Sequence, residues 1–244
     1  MKLRVRHTKL GKVRFTSHRD TARHWERAVR KSGIAVAYSA GFTPRPRMSF
    51  GLALPTGAES LAEYLDIDLV DDVTLADLSL DDLCVRFAAA LPVGYEVTHI
   101  VSRESGATSL QEDVVACTWR ITLDGVQPDQ LVEAVTHTMS SSSVLVERER
   151  KGQRSTDDIR PAMLDLSVAP TIDDDHRPHL CAMVATNGRG LRPTELVASM
   201  FPTLDPVDTA ARVLRTQQWI EREGELREVI PAHPLAARAP AECA

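Results

Sequence analysis

Residues 2–33 read KLRVRHTKLGKVRFTSHRDTARHWERAVRKSG, and this stretch contains the transition that decides the fold. Polar and apolar residues alternate through residues 2–15, which predicts one strand with a bulge at Gly11 or a hairpin there. Apolar residues then recur at helical spacing, at Ala22, Trp25, Ala28 and Val29. Basic residues occupy the opposite side, and Gly33 ends the predicted helix as a C-cap. The chain therefore opens with a strand followed by an amphipathic helix.

The same kinds of pattern continue along the chain. Further strands are predicted at residues 34–38, 48–54, 63–70 and 95–101, with a helix at residues 80–91. The resulting β-α-β-β-α-β order, with one additional strand, is typical of a ferredoxin-like α+β domain. The second half repeats this order. We therefore expect an α+β protein of two tandem ferredoxin-like domains with antiparallel sheets.

The expected domain boundaries follow changes in composition. Residues 1–103 form the first ferredoxin-like domain, which carries a basic face and a Pro-Arg loop. Residues 104–113 are rich in Ser, Gly and Glu, and we predict that they form a linker. Residues 114–222 form the second domain, and residues 223–244, which end in an Ala-rich stretch, are predicted to be a flexible tail.

Charge is divided unevenly along the 244 residues, although the net charge is only −5. Residues 1–50 contain 13 Lys and Arg against two acidic residues, a net charge of +11. Residues 51–146 contain 3 basic and 16 acidic residues, a net charge of −13, and the remainder carries −3. Two interpretations stay open. The basic block is a phosphate-binding surface, or it pairs with the following acidic segment inside one fold.

Several functional classes are not expected from the sequence. No apolar run approaches the ~20 residues of a membrane span, and the charged start of the chain shows no signal-peptide pattern. The four cysteines are Cys84, Cys117, Cys181 and Cys243. Their wide spacing matches neither a disulfide framework nor a metal site, and we expect reduced thiols in a cytoplasmic protein. The sequence also lacks the glycine spacings of nucleotide-binding loops and the Gly-x-Ser-x-Gly motif of a serine nucleophile. We therefore expect no cofactor and no metal.

Two polar segments are the candidate binding sites. The first is Ser17-His18-Arg19-Asp20 at the predicted strand-to-helix junction, where helix amides and an imidazole favour an anion. The second is the loop at residues 41–51, with candidate residues Gly41, Phe42, Pro44, Arg45, Pro46 and Arg47. The prolines stiffen its backbone, the guanidinium groups suit phosphate, and Phe42 and Phe50 suit stacking on RNA bases. The alternatives are an ordinary N-cap, solvated loop charges and core phenylalanines.

Two motifs resemble those of a bacterial family. They are Phe15-Thr-Ser-His18-x-Asp20 and Gly41-Phe-Thr-Pro44-x-Pro46-x-x-Ser49-Phe-Gly51-x-x-Leu54-Pro55-x-Gly57-x-x-Ser60-x-x-Glu63-Tyr64. On these residues the chain resembles the uncharacterised radical SAM-linked, DUF2344-type family. The resemblance is dense over residues 1–103 and colinear to about residue 220. It implies a partner with a radical S-adenosylmethionine domain and a role near RNA or ribosome maturation.

Cysteine spacing separates this chain from that partner. A radical SAM enzyme needs three closely spaced cysteines to hold its iron–sulfur cluster. No two cysteines of this chain are nearer than 33 residues. We therefore expect any radical SAM protein to act in trans, with this chain as its accessory.

Three functions follow as hypotheses. The first is a non-catalytic accessory protein that binds RNA or another polyanion through residues 1–50, with Arg45 and Arg47 on phosphate, and serves a radical SAM or RNA-processing partner. The alternative is a metal-independent endoribonuclease of ferredoxin-like fold with His18 as general acid and base. The third is an accessory domain that binds a small anion or a peptide and has no role with RNA. No membrane partner is expected for any of them.

Overall fold

The computed structural model describes residues 1–70, 79–103, 108–150, 152–169, 176–188 and 190–230. Over these residues the protein is mixed α/β, with six helices and mostly antiparallel strand pairs. The chain divides into two compact units. The first comprises Met1–Val114 together with 221–230, and the second comprises Val115–Ile220.

Strands and helices are interspersed along both units. The first elements are β1 (Lys2–Lys9), α1 (His18–Ser32), β2 (Met48–Phe50), β3 (Glu59–Asp68), α2 (Leu80–Ala90), β4 (Val97–Arg103) and α3 (Leu110–Asp113). Next come β5 (Val114–Thr122), α4 (Pro128–Ser140), β6 (Leu145–Arg150), β7 (Gln153–Asp158), β8 (Met163–Val168), β9 (His179–Ala185), α5 (Pro193–Met200), α6 (Pro206–Thr209), β10 (Arg212–Arg222) and β11 (Glu225–Glu228). None of the helices in the described ranges combines the length and apolar character needed to cross a membrane.

The strands of the first unit lie in the order β4-β1-β3-β2, and each neighbouring pair is antiparallel. Because successive residues of a strand face opposite sides, β1 contributes to two different environments. Its Leu3 packs in the core with Trp25 of α1 and Phe87 of α2. The next residue, Arg4, lies on the other face, opposite Asp66 of β3. One face of the sheet therefore packs against helices, and the other carries charged side chains.

Helix α1 begins inside the polar segment that was predicted to precede it, with Ser17 as N-cap, and it ends at the predicted C-cap Gly33. The Ser17 hydroxyl accepts a hydrogen bond from the Asp20 amide at 3.1 Å, which satisfies a free donor of the first turn. At the other end Gly33 has a φ of 69°, the left-handed conformation of a C-cap. Between the two caps, the buried side chains include Trp25 and Val29. The amphipathic pattern is therefore confirmed, with its apolar side in the core.

The prediction of one strand or hairpin through residues 2–15 is wrong beyond Lys9. The chain there forms a 3-10 helix at Gly11–Phe15. The Gly11 amide donates to the buried carboxylate of Glu59 at 2.6 Å, and its φ of 67° turns the chain. A buried acceptor supplied by a distant strand thus overrides the local alternation of residues.

The strand predicted at residues 34–38 is also replaced. Two isolated bridges, Val36–Leu69 and Tyr38–Pro46, occur in its place. A proline lacks the amide hydrogen that a regular ladder uses. This segment therefore leads into a loop and adds no strand to the sheet.

The second unit has a corresponding arrangement of strands. Its strand order is β10-β5-β9-β8, in which β9 is antiparallel to both β5 and β8. Strands β6 and β7 form a separate two-stranded sheet. Buried residues of its core include Ile121, Leu131 and Leu180. Helix α4 has Pro128 at its first position, where a proline lacks no needed donor.

The segments predicted as linker and flexible tail contain regular structure. Residues Leu110–Asp113 form α3, and Glu225–Glu228 form β11. Glu228 accepts a hydrogen bond from Arg6 at 3.0 Å, so β11 is held by a partner 222 residues away. Local composition carries no information about a partner at that distance. Residues 104–107 and 231–244 lie outside the described residues.

The expectation of reduced cysteines holds in part. Cys84 and Cys117 are free thiols. Cys181 is disulfide-bonded, so the expectation is wrong at this position. Spacing along the sequence does not report the proximity in space that a disulfide requires. Cys243 lies outside the described residues.

We predict that Gly94→Ala destabilises the fold much more than Gly57→Ala. Both glycines have positive φ, 103° and 93°, so both substitutions introduce backbone strain of roughly 1–3 kcal/mol. At Gly94 a Cβ would also lie within 2.7 Å of Val13 and closer still to the Leu10 carbonyl, whereas at Gly57 nothing lies within 4 Å. This clash adds about 1–3 kcal/mol. Urea unfolding followed by circular dichroism measures both changes, and equal losses would contradict the close approach at Gly94.

Candidate functional site

The arginines of β1 are neutralised inside the first unit. Arg4 donates two hydrogen bonds to Asp66, from Nε to Oδ1 at 2.7 Å and from Nη2 to Oδ2 at 2.8 Å. Arg103 donates to the same carboxylate, and Arg6 pairs with Glu228 at 3.0 Å. The five side chains are between 3% and 12% exposed. These guanidinium groups are therefore structural, and their charge is not presented to a ligand.

Two further cations of residues 1–50 have carboxylate partners in β3. Lys2 Nζ lies 3.1 Å from Asp68 Oδ1, and Arg14 Nη1 lies 3.7 Å from Glu59 Oε1. The contacts agree with the interpretation that the basic block pairs with the acidic segment inside one fold. For β1 and its neighbours, the segregation of charge along the sequence is thus a consequence of strand pairing.

At the start of α1, Ser17 and Asp20 form the helix cap. The Asp20 carboxylate accepts hydrogen bonds from the Ser17 hydroxyl at 2.8 Å and from Arg23 at 3.0 Å. The hydrogen bond from Ser17, assisted by Arg23, holds the pKa of Asp20 below its ordinary value. Asp20 is therefore ionised at neutral pH. Its negative charge opposes an anion at this helix start, while His18 and Arg19 beside it are exposed.

His18 lines a small pocket next to α1. Its ring meets the Phe50 ring edge-on, with 5.2 Å between the centroids. The pocket is also lined by His7, Lys9 and Glu63, and its cavity volume of about 20 Å³ admits roughly one water molecule. His7 and Lys9 are buried. The sequence does not identify them as site residues, because both continue the alternating pattern of β1, which predicts only a strand.

Metal binding has no visible basis in this pocket or elsewhere in the described ranges. Across these residues, no group of three or more His, Cys, Asp or Glu side chains is placed to hold a metal ion. Lys9 donates from Nζ to the Thr16 carbonyl at 2.9 Å. The pocket therefore offers imidazole and ammonium groups together with one carboxylate.

The loop that precedes β2 is closed at its base. The Ser39 amide donates to the Arg45 carbonyl at 2.9 Å, and the Arg45 amide donates to the Ser39 hydroxyl at 3.1 Å. The bridge between Tyr38 and Pro46 lies directly below this closure. Gly41 has a φ of 122°, which residues with a Cβ rarely adopt. The predicted stiffness of the loop therefore has a structural basis in these contacts.

Both loop arginines face carboxylates. Arg45 Nη1 lies 3.7 Å from Glu26 Oε1, and Arg47 Nε lies 3.5 Å from Asp68 Oδ2. Their side chains remain 66% and 61% exposed, and exposed pairs of this kind contribute only about 0–1 kcal/mol. The arginines thus stay accessible, but nearby carboxylates reduce the positive potential that they offer. Pro44, which precedes Arg45, is exposed.

The two phenylalanines predicted to stack on bases lie in different environments. Phe50 is half-buried, and it packs against the core of the first unit and against His18. Phe42 is fully exposed within the closed loop. Of the two, Phe42 alone presents its ring to a ligand, and Phe50 has the core role that was its alternative.

Helix α1 carries four exposed arginines, three of which pair with none of the described carboxylates. Arg19, Arg23, Arg27 and Arg30 are exposed, and at 3.6 residues per turn they fall within about 80° of one another around the helix. We call these four residues the arginine stripe. Arg23 pairs with Asp20 at 3.0 Å. In the part of the chain that the structure describes, the other three members make no ion pair.

The side of α1 that carries the stripe is opposite the side that packs in the core. Trp25 and Ala28 are fully buried, and each is separated by about 100° or more from every member of the stripe. The sequence motif at the helix start singles out Arg19 alone. Successive members of the stripe are separated by four, four and three residues, which places them on one side of a helix. This spacing could have identified the whole stripe from the sequence. Which arginines lack carboxylate partners is visible only in the structure.

The stripe also influences a neighbouring histidine. Burial lowers the pKa of His24, and the positive charge of Arg27 lowers it further. His24 is therefore neutral at neutral pH. The positive charge of this helix side therefore comes from guanidinium groups and not from His24.

Comparison with known proteins gives a family but no activity. A family model described as "Uncharacterized protein conserved in bacteria (DUF2344)" matches residues 2–193. The match includes all of α1 and the loop before β2. No curated protein matches the chain. The family's description names neither a substrate nor a reaction.

Proposed function

The chain belongs to the DUF2344 family of bacterial proteins, and from that premise we propose that it is a non-catalytic accessory protein that binds RNA. One observation supports this function, the arginine stripe of α1. Arg19, Arg27 and Arg30 carry their full charge at the surface, since none of the described carboxylates pairs with them. A ligand with repeated negative charges complements such a row of cations.

The dimensions of the stripe favour a polyanion. With a rise of 1.5 Å per residue, Arg19 and Arg30 are about 16 Å apart along the helix axis. A small anion spans a fraction of this length, whereas the phosphates of a nucleic acid strand are repeated along it. Guanidinium groups bind phosphate oxygens through paired hydrogen bonds. Arg45, at the neighbouring loop, adds an exposed cation next to Glu26.

The proposal includes a protein partner in the cytoplasm. The motifs at residues 15–20 and 41–64 support a link to radical SAM proteins, through the resemblance that they carry. A radical SAM cluster requires three cysteines that are close together, and those of residues 1–244 are not, so the proposal assigns the cluster to a radical SAM domain outside these residues. In this scheme the chain holds the RNA, and a radical SAM or RNA-processing partner performs the chemistry.

The proposal also takes each unit as ferredoxin-like. In support, the first unit has the element order β1-α1-β2-β3-α2-β4 and the sheet order β4-β1-β3-β2. The second unit has the corresponding orders when β6 and β7 are set aside. In this arrangement α1 covers one sheet face and turns its outer side to solvent, which is where the arginine stripe lies.

A second candidate, a metal-independent endoribonuclease, is favoured by the pocket that His18 shares with His7 and Lys9. Two imidazoles can remove the proton of a ribose 2′-hydroxyl and protonate the leaving 5′-oxygen, while an ammonium group stabilises the negative charge that develops on the phosphoryl oxygens. RNA binding without cleavage is the better supported function. His7 is 1% exposed, and a phosphate would have to reach both imidazoles through a cavity of about 20 Å³.

We predict that the wild-type protein leaves RNA intact in the presence of EDTA, because access to His7 is closed. Gel analysis of labelled RNA after prolonged incubation measures this. Cleavage that is lost in His18→Ala and kept in His137→Ala, an exposed histidine of α4, would contradict a purely binding role. It would establish the nuclease in its place.

Replacing Arg19, Arg27 and Arg30 together with alanine is expected to weaken RNA binding and reduce its dependence on salt. Each phosphate contact on a single strand contributes about 0.7 to the slope of log affinity against log salt, so the slope should fall by roughly 2. Fluorescence anisotropy with a labelled oligouridylate over a series of KCl concentrations measures this. Alanine is a strong helix former, so α1 should persist, which circular dichroism checks.

Two matched variants complete this test. Replacing the same three arginines with lysine keeps the charge and should keep most of the slope. Arg45→Ala with Arg47→Ala should have a smaller effect, because both side chains already face carboxylates. A loop variant that loses as much slope as the helix variant would move the site to the loop. Absence of RNA binding at low salt, with binding of inorganic phosphate or a peptide, would instead support the third hypothesis.

A further inference from the structure

The exposed ring of Phe42 belongs to the loop whose Arg45 contacts Glu26 of α1, next to the arginine stripe. We propose that Phe42 stacks on an unpaired base of an RNA strand whose phosphates lie on α1, so that the protein selects single-stranded RNA over duplex. This inference rests on the RNA binding proposed above and adds a substrate class to it. In this inference Phe42 contacts a base of the RNA, whereas the arginine stripe contacts its phosphates.

The loop geometry holds Phe42 away from the core. The base of the loop is closed by the two hydrogen bonds between Ser39 and Arg45, and Gly41 supplies the backbone conformation next to the ring. An exposed phenylalanine on a free surface segment could fold back onto apolar neighbours. This one lies in a closed loop, so its ring is presented to solvent before a ligand arrives. Such preorganisation lowers the entropic cost of binding.

The loop also lies beside the stripe. Arg45 contacts Glu26 at 3.7 Å, and Glu26 is three residues after Arg23 and four before Arg30, so all three lie on adjacent turns. Phe42 is three residues from Arg45, which limits the distance between their Cα atoms to about 11 Å. A strand of RNA that lies on α1 therefore lies beside the loop that carries the ring.

An aromatic ring beside a row of arginines favours single-stranded RNA over other polyanions. A base in a duplex already stacks on its neighbours on both faces, while an unpaired base can place one face on an aromatic ring. Stacking of this kind tolerates any base, because every base has a π-face. A polyanion without bases gains nothing from Phe42. The substitution Phe42→Ala should therefore affect one class of ligand only.

The test compares three probes on the full chain: a short oligouridylate, an RNA duplex of the same length, and inorganic polyphosphate. Phe42→Ala should weaken oligouridylate binding roughly 5- to 150-fold, as removal of one aromatic stacking partner does. Duplex and polyphosphate binding should not change. Phe42→Trp should keep or strengthen oligouridylate binding. Phe15→Ala is the matched control, since Phe15 is also exposed, at 62%, but lies outside the loop, and it should bind as wild type.

The outcomes distinguish this inference from the function on which it rests. Oligouridylate binding that is unchanged in Phe42→Ala but lost in the alanine variant of the arginine stripe would overturn the stacking and leave RNA binding in place. An equal loss of polyphosphate binding in Phe42→Ala would also overturn it, because the substitution would then act through the loop and not through a base. Wild-type protein that binds none of the three probes at low salt would overturn both.

Discussion

The carboxylate of Asp66 lies between the guanidinium groups of Arg4 and Arg103, and the charge distribution of the first unit depends on this contact. Asp66 is 2% exposed. Removing one partner of such a buried pair leaves an uncompensated charge, at a cost of about 3–5 kcal/mol. Arg4 of β1 therefore requires Asp66 of β3 as its buried partner, and Arg6 requires Glu228 for the same reason. Together these pairs confine the charge of β1 to the interior.

The cations of residues 1–50 differ in whether a neighbouring group already binds them. Seven of its cations have carboxylate partners, most of them in β3 and one in β11. Lys9 is buried against a backbone carbonyl. The cations with no such contact in the described ranges are Lys12, Arg19, Arg27, Arg30 and Lys31. The interpretation by internal pairing therefore applies to most of the block, and the remaining cations, on which the proposed phosphate binding rests, lie on and next to α1.

Much of the first unit could be predicted from the sequence because its signals are local. The limits of α1 follow from Ser17 and Gly33, whose side chain and backbone freedom act within one turn. Its buried side follows from the spacing of Trp25 and its apolar neighbours. The alternation in β1 correctly places Leu3 in the core. These features need no knowledge of any distant residue.

The features that escaped prediction depend on partners far away in the sequence. Arg4 and Asp66 are 62 residues apart, and the alternation that puts Arg4 on the outer face does not reveal an acid opposite it. The strand alternation also stops at Gly11 because of a distant partner, since the Gly11 amide donates to the Glu59 carboxylate. Prominent motif arginines of the loop proved to face carboxylates, while Arg27 and Arg30, ordinary in sequence, proved to have no such partner among the residues that the structure describes. Neutralisation is a property of pairs in space, which spacing along the chain cannot report.

We conclude that, within the described residues, the accessible positive charge without a carboxylate partner is concentrated on α1, whereas the arginines of β1 and of the loop face carboxylates. The direct measurement is the nuclear magnetic resonance spectrum of the arginine Nε–H groups, recorded on the full chain during titration with an oligouridylate. Signals of Arg19, Arg27 and Arg30 should shift together and saturably, while those of Arg4 and Arg6 should stay in place. Shifts confined to Arg45 and Arg47, or no shift in the arginine stripe at saturating RNA, would contradict the claim.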